Sequence, residues 1–140
     1  MADTSTALVA LLANDAGVSA LVGARIAPWQ EMQGAALPFI AYTQVEGDHL
    51  HSLSSGIALG QETYQFDCVA TTYSGARALS DAVRVKLAGF RGTSDTVVIQ
   101  SCLPTGHRDL PAPPIAGTQK PTYTRQIEFS VFATESIPTN

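Results

Sequence analysis

The stretch ETYQFDCVATTYSGARALSDAVRVKLAGF, Glu62 to Phe90, holds the two periodicities that decide the fold. Tyr64, Phe66, Cys68 and Ala70 alternate with Thr63, Gln65, Asp67 and Val69, the period of a strand with one apolar face. After Thr72 the spacing changes. Ala76, Leu79, Val83, Leu87 and Phe90 fall on one helical stripe, with Arg77, Asp81, Arg84 and Ala88 round the far side. Ser74 is the expected N-cap, and Gly89 and Gly92 end the helix. No catalytic group stands at the joint. A strand feeding so directly into an amphipathic helix predicts that the helix folds back at once onto the sheet's apolar face.

Working outward, PFIAYTQVE (Pro38 to Glu46) reads as a strand, with Phe39, Ala41, Thr43 and Val45 opposite Ile40, Tyr42, Gln44 and Glu46. TVVIQSCL (Thr96 to Leu103) and TYTRQIEFSVFAT (Thr122 to Thr134) read as two more. Thr4 to Asn14 is a short helix with Leu8, Leu11 and Leu12 as its stripe, capped by Asp3 or Ser5. Val18 to Gly23 adds a further turn, and Ala24 to Leu37 is irregular. Residues 47–60 carry three glycines and three serines with no sustained period, and read as a long loop that orders on contact. Residues 104–121 hold five prolines in eighteen positions and read as a second, stiff loop. The expected architecture is one α+β domain over residues 1–140. It is a four-stranded, mainly antiparallel sheet packed by one long helix and a short N-terminal helix.

The chain has 140 residues, enough for a core without staples. The net charge is −4 and the eight basic residues are scattered, which argues against gripping nucleic acid phosphates. Only 14% of residues are charged, leaving neutral surface for neighbours. Cys68 and Cys102 read as small buried hydrophobes, suited to a reducing cytoplasm. ALVALLA (Ala7 to Ala13) has a signal-like core but no basic flank, is broken by Asn14-Asp15, and is too short to span a bilayer. The expectation is a chain made and kept in the cytoplasm.

Candidate chemistry is sparse. His49 and His51 form an H-x-H pair beside Asp48, and His107 and Asp109 lie in the other loop, but a metal site needs more ligands than the pair supplies. The tripeptide His107-Arg108-Asp109 matches a kinase catalytic loop in a chain with neither the glycine-rich loop nor D-F-G. Trp29 beside Pro28 reads as a core-edge tryptophan. No catalytic residue, cofactor or metal is expected.

Four pieces in order carry a resemblance: LVALLANDAGVSALVGARIAP, LPFIAYTQVEGD, YQFDCVATTYSGARALSDAVRVKL and RQIEFSVFATE. Together they resemble the tail completion, or tail terminator, proteins of long-tailed bacteriophages and gene transfer agents, over nearly the whole chain. The resemblance implies a non-enzymatic virion subunit. Six copies would ring the head-proximal end of the tail tube, stop tube polymerisation and join the tail to the head connector. DNA would pass through without specific binding. The implied partners are the chain itself, the major tail tube protein and the connector or stopper. Asp48, His49, His51, Val85, His107 and Arg108 are the candidate interface residues. Alternatives are a head-tail connector or stopper of the neck, and a small-molecule-binding α+β domain.

Overall fold

The computed structural model describes residues 4–31, 36–51, 57–94, 97–110 and 122–136. Helices α1 (Thr4–Ala13) and α2 (Ala16–Val22) come first, then a short strand β1 (Ile26–Pro28) and a 3-10 turn (Trp29–Glu31). Strands β2 (Phe39–His51) and β3 (Ile57–Ala70) follow, then the long helix α3 (Tyr73–Leu87). The chain ends with β4 (Gly92–Ser94), β5 (Val97–Leu110) and β6 (Tyr123–Ser136). The sheet has six strands in the order β1-β2-β3-β6-β5-β4. Only β1 and β2 are parallel; the other neighbours are antiparallel.

This corrects the expected four-stranded sheet with two helices to a mixed six-stranded sheet with three helices. The two strands missed are three residues each, too short for period-two alternation to register. The third helix is the turn at Val18, extended back to Ala16 by Asp15, whose carboxylate accepts from Val18 N at 3.0 Å. The expected loops are also shorter. β2 and β3 stay paired out to His51 and Ala58, and β5 and β6 out to Leu110 and Thr124. A ladder of backbone bonds needs no apolar alternation, so the strands run on past the core where the side-chain period stops. Pro104 is accommodated at a bulge between Pro104 and Gly106. Residues 52–56 and 111–121 of those expected loops lie outside the described residues.

The joint between β3 and α3 is made by Thr72, whose hydroxyl accepts from Gly75 N at 3.0 Å. Thr72, and not Ser74, is the N-cap. A Cβ at Gly75 would stand 2.8 Å from that hydroxyl oxygen, so glycine is needed for the close turn. The helix then lies back on β3 and β6. Leu79, Val83 and Leu87 share one core with Tyr64, Phe66, Ile127 and Phe129, as the two periodicities require. Leu8 and Leu12 of α1 and Val18 and Val22 of α2 complete it. Ser94 Oγ donates to the Ala7 carbonyl at 2.9 Å and fastens α1 to β4, and Gly89 N donates to the Cys102 carbonyl at 2.8 Å where α3 ends.

Fourteen strand residues extend about 46 Å, whereas the fifteen of α3 extend about 22 Å. One long helix therefore cannot cover the sheet's length, and much of the hairpin arms is left for other contacts.

Candidate assembly surface

The two edges of the sheet are built alike. β1 pairs with β2 only at Ile40–Tyr42, so among the described residues the outer edge of β2 is open from Thr43 to His51. β4 pairs with β5 only at Val97–Ile99 and Gly89 N takes the Cys102 carbonyl, so among the described residues the outer edge of β5 is open from Leu103 to Leu110. Each open edge has a bulge, at Gln44/Glu46 and Pro104/Gly106. Each also shows an exposed apolar side chain, Val45 at 53% and Leu103 at 54%. Bulges and a proline discourage indiscriminate pairing of exposed strands.

The expected interface residues divide between these edges and α3. Asp48, His49 and His51 occupy backbone positions in the open part of β2, opposite Gln61, Gly60 and Ala58. Their side chains lie outside the described residues. His107 and Arg108 are exposed on the open part of β5. Two strands, β3 and β6, separate the two groups, so one chain does not bring the H-x-H pair and His107 together. Among the described residues no three histidine, cysteine, aspartate or glutamate groups could hold a metal ion. Val85 is 84% exposed on α3, in a shallow depression with Asp81, Arg84 and Ala88.

On the sheet face away from the helices the structure assembles a polar relay that the sequence pattern concealed. Trp29 Nε1 donates to Asp67 Oδ2 at 2.5 Å, Gln126 Nε2 donates to Asp67 Oδ1 at 3.0 Å, and Arg108 Nε donates to Gln126 Oε1 at 2.7 Å. Asp67 is 3% exposed. It sits at an alternate position that reads as solvent-facing, and it is buried because Trp29, packed edge-on against Phe39 at 5.8 Å, closes over that end of the sheet. Phe39, Ala41 and Val69 form a second small core beneath it. Trp29 is thus a core-edge residue with its indole N–H paired. A carboxylate held this way fixes Arg108 at the wall of a shallow cleft lined also by Thr105, His107 and Glu128.

A second cluster stands beside the N-terminus of α3. Arg125 Nη1 contacts Asp109 Oδ1 at 2.8 Å, and Tyr73 donates its hydroxyl to Asp109 Oδ2 at 3.1 Å. The hydrogen bond from Arg125, with those from Tyr73 and the nearby charges of Arg125 and Arg77, holds the Asp109 carboxyl below its ordinary range. The two cysteines are unpaired and buried. Burial pushes the Cys102 thiol up to about 12 and the Cys68 thiol higher still, so neither is a ready thiolate.

Much of the helix-free face carries amides and hydroxyls. Gln61 donates to Ser130 Oγ at 3.4 Å and Gln100 to Thr134 Oγ1 at 2.9 Å, and Thr63 and Gln65 lie between the same strands. Long open edges beside a polar, weakly charged face are the equipment of a subunit that assembles with others. A family profile described as tail completion protein gp17 matches residues 6–113. The chain belongs to that family, and is a structural protein of the phage tail. Among solved structures, a chain of the "Virion of native gene transfer agent (GTA) particle" superposes with a TM-score of 0.70 over 94% of this chain and 95% of that one. At 13% identity the likeness is one of fold. No curated protein matches the chain.

Proposed function

We infer that the protein is the tail terminator: a ring of six copies on the head-proximal end of the tail tube that stops tube growth and joins the tail to the head connector. Membership of the tail completion family carries this reading. The number six follows the resemblance; the open sheet edges support contacts from copy to copy. The β2 edge on one side of a subunit and the β5 edge on the other pair successive copies head to tail, and a rotation that closes turns such contacts into a ring. The same edges would otherwise invite aggregation.

DNA passing through such a ring needs a wall that does not hold phosphates. A net charge of −4 and a face of glutamine, serine and threonine suit transit better than binding. No catalytic step belongs to this role. The test is tube growth in vitro. Purified tail-tube subunits polymerised with the protein should give capped tubes that no longer elongate from the capped end. Tubes that elongate from both ends at the unsupplemented rate would overturn the reading.

A further inference from the structure

We propose that the open edge of β2 pairs antiparallel with the open edge of β5 of the next copy, with Glu46 opposite Arg108, Asp48 opposite Gly106 and Leu50 opposite Leu103, and that the helices face outward from the resulting ring. This rests on the ring reading above and supplies its contact surface.

Three observations meet in this register. First, direction. In the order β2-β3-β6-β5 each neighbour is antiparallel, so β2 and β5 run oppositely and the next copy's β2 meets β5 in the same antiparallel sense. Second, face. Glu46 and Asp48 are in register with Thr63 and Gln61, and Leu103, Gly106 and Arg108 with Ser130, Glu128 and Gln126, all positions of the helix-free face. A one-residue slip would turn every pair to the wrong side. Within the permitted registers this one sets an acid against Arg108 and leucine against leucine, and lets the bulge after Pro104 pass without breaking the sequence of pairs. Cross-strand pairs of both kinds are favourable.

Third, the offset closes. Arg108 is level, through Gln126 and Asp67, with Ala41, whereas its proposed partner Glu46 is level with Thr63. Asp67 to Thr63 is a stagger of four rungs, about 14 Å along the strands. Four strands per copy are about 19 Å wide. The strands must then tilt by roughly 35° to the ring axis, the value typical of closed sheets. Handedness chooses the face. With the β3–α3–β5 crossover right-handed, as such crossovers are, the stagger has the sense that strand twist gives a closed sheet only when the helices lie outside. The face of amides and hydroxyls, with Glu128 and the paired Glu46 and Arg108 positions, then lines the lumen.

The test uses tails assembled with an equal mixture of two single-cysteine variants, Asp48→Cys and Gly106→Cys. A Cβ at Gly106 meets nothing within 4 Å, and the native cysteines are buried. Opposed residues of paired strands lie within disulfide reach. Oxidation should give covalent dimers of unlike variants, and no dimers in tails carrying either variant alone. Dimers from one variant alone would overturn the pairing, because they require a like-to-like contact. An uncross-linked mixture in tails whose sixfold ring is visible would overturn the pairing and leave the terminator reading standing. Tails whose head-proximal end lacks the chain would remove both. Amide exchange of the unmodified protein, free against assembled, reads the same contact without substitution. Slowing at both 43–51 and 103–110 supports the pairing, and slowing at neither overturns it.

Discussion

Val83 and Val85 are the same residue type two positions apart on α3, one with no exposure and the other 84% exposed. Val83→Ala removes two methyl equivalents from the core. Their transfer is worth about 1.6 kcal/mol, and the small cavity left between α3 and the sheet adds further cost, for a total of about 2–3 kcal/mol. A chain of this length unfolds with an entropy near 0.3 kcal/mol/K, so the midpoint should fall by about 8 °C. Val85→Ala deletes the same atoms from solvent-facing surface and should stay within about 0.5 kcal/mol. Calorimetry or thermal circular dichroism of the two variants beside the parent separates them. Val83→Asp, with an unpaired carboxylate in the same place, should give no soluble folded protein. Equal midpoints for Val83→Ala and Val85→Ala, or a soluble and cooperative Val83→Asp, would refute the packing of α3 on β3 and β6.

Trp29→Phe should keep the edge-on contact with Phe39 and lose the bond to Asp67, costing about 1–3 kcal/mol in a urea melt; a neutral result would mean that the relay adds nothing to the fold. Cys68 and Cys102 should resist thiol reagents at pH 8 in the native protein and react fully in denaturant; labelling of the native chain at the unfolded rate would contradict their burial. The lowered Asp109 pKa gives stability that is present above the unfolded value, near 3.9, and is lost as pH falls through the folded one. Asp109→Asn should accordingly lower the midpoint at neutral pH and converge with the parent as the pH falls below about 3, flattening the acid limb of a melting-temperature profile; equal midpoints at neutral pH would contradict the contribution.

The sequence made the β3–α3 unit legible because both periodicities are carried by large apolar residues, and those residues share one core. It also carried the order of the four pieces that resemble the tail completion family. β1 and β4 were not legible, since three residues cannot show a period, and Pro28 and Gly92 read as punctuation. The long arms of β2 and β3 were hidden for a different reason. Past Glu46 the chain is held by backbone pairing while its residues do not alternate apolar with polar, so Gly47 and Gly60 look like loop residues and are paired strand. His107 and Arg108 read as loop residues in the sequence and stand on an open edge. The Asp67 relay could not be seen from a strand position facing away from the core; the signal was Trp29, which needed a partner for its N–H. Asp48, His49 and His51, expected interface residues, have backbone positions on the other open edge.

The proposed role requires a closed ring of this chain at one defined end of the tail. A cryo-microscopy reconstruction of the head-proximal end of purified tails, computed without imposed symmetry, would show whether that ring exists. The expected density is one ring of six copies seated on the last layer of tube subunits, helices outward and the sheet's helix-free face on the lumen. A head-proximal end that lacks this chain, or holds it without sixfold symmetry, would contradict it.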